Sequence, residues 1–193
     1  MGILDRLRAA VDTSRYTDFA FAQENAAAYA IRDFDCDNLM ELLLITVTQN
    51  ADNTYTLVLD IYKLTAGEIK QADSRAFEKV LQSGTEMQVV LLKQAGRELI
   101  YFAERNSLLS TTLRGQALTF TEDGFVSLKL DDNAKDPKPL LLASADVFGN
   151  VTLEDYSGLD ASGEEAPADT RDAASSILLI LITLIQSILQ GNG

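Results

Sequence analysis

The sequence predicts an α+β domain: N-terminal helices, an antiparallel meander of about six or seven strands with one inserted helix, and a C-terminal apolar helix packed on the sheet. Three observations lead there. Apolar residues recur at three- and four-residue spacing at the start of the chain, alternate with polar ones between residues 41 and 130, and form a charge-free run near the end. A length of 193 residues with 47% hydrophobic side chains is enough to build one domain with a real core.

The elements follow from local pattern. Ile3, Leu4, Leu7 and Val11 have helical spacing, Thr13-Ser14 breaks the run, and a second helical stretch extends from about Thr17 to Ala28. Strands are expected near 41–48, 54–63, 67–71, 86–93, 97–104, 112–121 and 124–130. Within residues 54–64, Tyr55, Leu57, Leu59 and Ile61 fall on one face, while Thr56, Val58, Asp60 and Tyr62 fall on the other. Turn chemistry at Asn50–Asn53, Ala66-Gly67, Ala95-Gly96 and Glu122-Asp123-Gly124 marks hairpins. Ser74 to Gln82, with Ala76, Phe77, Val80 and Leu81 as its apolar stripe, reads as the inserted helix. A polar loop from Asp131 to Pro139 leads into a short edge element at Leu140–Ala143, and Thr152-Leu-Glu-Asp155 has the form of a helix start.

This divides the chain into a single α+β domain over 1–158, an acidic linker over 159–173, and an apolar helix over 174–190 that belongs to the same domain or to an oligomer interface. The run from Ile177 to Leu189 rises only ~20 Å as a helix, short of the ~30 Å hydrocarbon core, so it does not span a membrane. Thr183, Gln186, Ser187 and Gln190 form a narrow polar stripe on it, as expected for a helix packed on a sheet or joining copies through 175–190.

Composition removes several functions. A net charge of −13, from 29 acidic and 16 basic residues, repels phosphate backbones, so nucleic acid is excluded as a partner. Histidine is absent, which rules out Ser-His-Asp and Cys-His machinery, imidazole acid–base catalysis and His-containing zinc sites. The single cysteine, Cys36, has no internal disulfide partner and no histidine to activate it. Met1-Gly-Ile-Leu-Asp-Arg6 is followed by no apolar h-region and carries Arg6 where a myristoylation signal needs Ser or Thr, so no signal peptide or lipid signal is read there.

The chemistry concentrates in Asp33-Phe-Asp-Cys-Asp-Asn-Leu-Met-Glu41. Counting from Asp33, carboxylates fall at positions 1, 3, 5 and 9 as Asp33, Asp35, Asp37 and Glu41, with the backbone carbonyl of Leu39 at position 7. That alternation is the oxygen pattern of a loop surrounding a hard cation such as Ca2+. Asn38 occupies the sharp-turn position, where glycine is usual and Asn best tolerates positive φ. Leu44 at position 12 and the apolar run Leu42–Val47 predict that a strand leaves the loop, not a second helix. The alternative is a metal-free acidic turn held by backbone N–H groups.

The segment Tyr29-Ala-Ile-Arg-Asp33-Phe-Asp35-Cys-Asp37-Asn-Leu-Met-Glu41-Leu resembles the pattern Tyr-Ala-hydrophobic-x-Asp-x-Asp-Gly-Asp-Gly-x-Pro-Glu-Leu. That pattern recurs in secreted or lipid-anchored domains of Gram-positive gut bacteria and is similar to the calcium loop of FG-GAP/VCBS propeller repeats. Cys36 and Asn38 replace both glycines and Met40 replaces the proline. A propeller needs several blades and a single clear loop is present, so a propeller is not expected. The resemblance implies a secreted or cell-surface location and a calcium role for Asp33, Asp35, Asp37 and Glu41.

The expected function is therefore a non-catalytic secreted or cell-surface module with a structural calcium loop and a protein or glycan partner. Two alternatives stand beside it. Paired carboxylates can run a hydrolase without histidine, and the apolar C-terminal helix can make the chain an assembly subunit.

Overall fold

The computed structural model describes residues 25–65, 68–106 and 114–157. Ten strands occupy them: β1 Ala26–Arg32, β2 Glu41–Gln49, β3 Tyr55–Thr65, β4 Glu68–Phe77, β5 Thr85–Gln94, β6 Arg97–Asn106, β7 Arg114–Thr121, β8 Gly124–Leu128, β9 Lys135–Ala145 and β10 Val151–Asp155. They form a four-stranded sheet in the order β1-β2-β3-β4 and a six-stranded sheet in the order β10-β9-β5-β6-β7-β8, with every pairing antiparallel.

The α+β expectation is overturned, because no helix is present among the described residues. The inserted helix over 74–82 is the clearest correction. Residues Ser74 to Phe77 continue β4, paired to β3 through Asp60↔Ser74, Leu59↔Arg75, Val58↔Ala76 and Leu57↔Phe77. The free edge of β3 pairs the backbone groups of that segment that face it, and this outweighs a weak helical stripe. Lys79 then adopts a φ of 61°, which a continuing right-handed helix does not allow. Thr152–Asp155, read as a helix start, lies instead in β10, paired to β9 from Val151↔Ala145 to Asp155↔Leu141. Ala26–Ala28, the end of the second helical run, belong to β1. The N-terminal helices up to residue 24, the Ala66-Gly67 turn, the linker over 159–173 and the apolar segment over 174–190 lie outside the described residues.

The hairpin turns at 50–53, 95–96 and 122–124 form where turn residues were expected. Asn53 and Ala95 take positive φ, as does Gly124 at 108°. Of the polar loop expected over 131–139 only residues 131–134 form a turn; Lys135–Pro139 and the edge element expected at Leu140–Ala143 are one long strand, β9. Pro137 and Pro139 lie in its first half, beyond the reach of β10, and the register with β5 shifts between Val89 and Val90. A residue without an N–H is tolerated at such a bulge on a partly open edge.

The two sheets face each other across one core. Leu43, Ile45, Leu57, Leu59 and Ile61 from the first sheet meet Met87, Val89, Leu91, Ile100, Phe102, Leu118 and Leu141 from the second. Phe77 stacks on Phe102 with ring centroids 4.2 Å apart. At one side β1 lies against β9 and β10, and at the other β4 lies against β8. Hydrogen bonds clasp both sides: Tyr29 N–H donates to Ser157 Oγ at 2.7 Å, and Phe125 N–H to Asp73 Oδ2 at 2.6 Å. Gly124 is required at the second clasp, since a Cβ there would lie 2.5 Å from Asp73 Oδ2. The architecture is a β-sandwich.

The six-stranded sheet is apolar on its outer face too. Val90, Leu92, Leu99, Tyr101, Ala103 and Ala117 form a second buried cluster with Tyr156. This explains the near-continuous apolar runs Val89–Leu92 and Leu99–Ala103, which strict alternation would not produce.

Candidate metal centre

The loop from Asp33 to Met40 joins adjacent strands and is closed at its base by the pair Arg32↔Glu41. Its first anchor is Phe34, fully buried in the shared core. The Phe34 N–H donates to Glu41 Oε2 at 2.8 Å, so the buried Glu41 side chain ties the start of the loop to the start of β2. Glu41 is in phase with Leu43 and Ile45 on β2, which turns its carboxylate toward the interior.

Above this anchor the aspartates fold the loop on itself. Asp33 Oδ1 accepts the Asp37 N–H at 3.1 Å and Asp33 Oδ2 the Asn38 N–H at 3.0 Å, while Asp37 Oδ1 accepts the Leu39 N–H at 2.8 Å. Cys36 and Asn38 take φ values of 65° and 68°, the two places where the resembled pattern has glycine. The carboxylate oxygens of Asp33, Asp35 and Asp37 lie within 4.8 Å of one another, close enough to share one cation.

Lys63 completes the cluster from β3. Its ammonium donates to Asp35 Oδ2, pairs with Asp37 Oδ2 at 2.6 Å and lies 4.0 Å from Glu41 Oε1. Glu41 Oε1 has no hydrogen-bond partner although the residue is fully buried. Burial raises the Glu41 pKa, opposed by the Phe34 N–H, with Asp35 pushing it up further. The Lys63 ammonium and the Leu39 N–H lower that of Asp37. The Lys63 pKa rises because Asp35 and Asp37 accept hydrogen bonds from its ammonium.

All five residues expected at the site are thus in one loop or at its exit. Asp33, Asp35 and Asp37 converge, while Glu41 lies outside that group of three; Leu39, expected to offer its backbone carbonyl, engages the loop instead through its N–H to Asp37, its side chain half-exposed. Lys63 was not anticipated, since it is 28 residues from Asp35. One signal was available: it falls in phase with Leu57, Leu59 and Ile61, so a lysine continues the buried face of its strand.

A shallow groove on the outer face of the six-stranded sheet is lined by Glu86, Gln88, Arg105, Leu142, Thr152 and Glu154. Arg105 Nε donates to Glu86 Oε2 at 2.6 Å, and Tyr156 Oη to Glu154 Oε2 at 2.6 Å. Among the described residues no helix is long and apolar enough to cross a membrane. The chain matches no family model, and no curated protein or solved structure matches it.

Proposed function

We propose that the chain is a non-catalytic β-sandwich module of the cell surface or secreted space, which meets a protein or glycan partner and whose β1–β2 loop holds a structural Ca2+. The observation that carries the cation reading is the meeting of three aspartate oxygens within 4.8 Å above a buried glutamate oxygen that has no hydrogen-bond partner. Four carboxylates share this loop, and Lys63 brings one positive charge to the three it reaches. A divalent ion would supply the missing positive charge, and an all-oxygen donor set favours calcium over softer metals. Its role is structural, because the acids lie in a single loop and the ion would pin the β1–β2 connection at one end of the sandwich. The location and the partner class rest on the loop resemblance.

Calorimetric titration and thermal melting of the wild type test the cation. Calcium is expected to bind with a Kd of about 10⁻⁴–10⁻³ M, the class of extracellular modules. At a hundredfold excess over Kd it should stabilise the fold by about 2.7 kcal/mol relative to chelator. Asp35→Ala and Asp37→Ala should abolish both effects. Absence of heat and of any melting shift in wild type, or equal heat in the two variants, would overturn the assignment.

Carboxylate-dependent hydrolysis has one observation in its favour, since the outer groove contains both Glu86 and Glu154. Arg105 engages Glu86 through two guanidinium nitrogens at 2.6 and 2.5 Å, and Glu154 accepts the Tyr156 hydroxyl. Both carboxylates are thus already engaged by neighbouring side chains on an open sheet face, so the module reading is preferred.

A further inference from the structure

We propose that Lys63 is the built-in competitor of the loop cation: its ammonium takes the cation's place among Asp35, Asp37 and Glu41, and a divalent ion enters only as Lys63 leaves. This deepens the calcium reading given above and rests on it. The geometry makes the two cations exclusive. Lys63 Nζ is in direct contact with Asp35 Oδ2 and 2.6 Å from Asp37 Oδ2, two of the three aspartates whose oxygens lie within 4.8 Å of one another. Calcium coordinates carboxylate oxygen at about 2.3–2.6 Å, so an ion bound to the same oxygens would stand within a few ångströms of the ammonium. Like charges at that separation repel, and at Asp35, whose side chain is only 1% exposed, little water screens them.

The lysine is suited to this exchange. Its side chain remains 21% exposed at the end of the sandwich, and its four-carbon stem can carry the ammonium out to water without moving β3. Glu41 Oε1 is the acceptor that the lysine leaves unsatisfied. It is 4.0 Å from Nζ, beyond hydrogen-bond reach, and has no other hydrogen-bond partner. A cation of higher charge centred on the loop would engage it. Lys63 therefore keeps the loop assembled without metal and sets the concentration at which metal binds.

Calcium titrations of wild type and Lys63→Met, with melting in chelator and in calcium, separate the possibilities. Lys63→Met is expected to bind calcium about tenfold more tightly or better. It should also melt lower than wild type in chelator and regain that loss in calcium. In wild type, saturating calcium should shift the Lys63 Cε resonance, a readout that does not depend on the variant folding. Equal or weaker binding by Lys63→Met, or an unmoved Lys63 resonance at saturation, overturns the competition while leaving the calcium site standing. No binding by either protein overturns the calcium site itself and the competition with it.

Discussion

Single residues in the loop carry conformational cost as well as charge. Cys36 and Asn38 hold left-handed φ values that penalise any side chain, less for Asn than for Cys. Cys36→Gly is expected to raise stability by roughly 0.5–1 kcal/mol and Asn38→Gly by less, measured by urea unfolding in chelator. Both loop glycines would also bring the segment closer to the pattern it resembles. Elsewhere, Asp60 illustrates a buried acid with a modest partner. It is 9% exposed, accepts the Gln71 side-chain N–H at 2.8 Å, and burial raises its pKa. Because the folded carboxyl holds its proton more tightly than the unfolded one, its charge opposes folding above the folded pKa, and that opposition fades as pH falls through it. Asp60→Asn should therefore melt higher than wild type near neutral pH, with the gap narrowing as pH falls through the raised folded pKa toward the ordinary carboxylate value; a gap independent of pH would contradict this.

At the scale of elements, the strands are specified by what lies beside them. β6 and β7 meet at a crowded point where the Tyr101 ring crosses Gly115, and a Cβ at Gly115 would stand 2.0 Å from Tyr101 Oη. Tyr101 is buried in the outer cluster, and burial pushes its pKa up to about 12. Gly115→Ala is expected to cost about 1–3 kcal/mol in thermal melts. Adding Tyr101→Leu should recover part of the loss by making room, which a purely backbone effect of the alanine would not permit. The same dependence on neighbours explains β4. Phe77 belongs to a strand and Val80 and Leu81 to the loop after it, yet all three pack on the core, so their spacing imitates a helix face. Nothing local in Ser74–Leu81 reports the open edge of β3 that decides the outcome.

For the whole molecule, the decisive fact is that both sheets share one core. Phe102 is 5% exposed and stacks on Phe77 of the opposite sheet, so Phe102→Ala should cost about 3–5 kcal/mol. Hydrogen exchange should then show amides in β3 and in β5 losing protection together, as expected for one cooperative unit. Protection lost only in the six-stranded sheet would mean that the sheets unfold separately. Much of this was legible beforehand. Apolar runs bounded by turn residues located most of β2, β3, β5, β6 and β7, the turn residues themselves located three hairpins, and the spacing of Asp33, Asp35, Asp37 and Glu41 located the loop, because these patterns are written in neighbouring residues. The pairing of β4 with β3, the strand character of β10, the division into two sheets and the arrival of Lys63 at the acidic loop were decided only in three dimensions. Each depends on groups far apart in the chain meeting across a sheet, where backbone hydrogen bonds, core burial and charge pairing outweigh the preferences of a local segment.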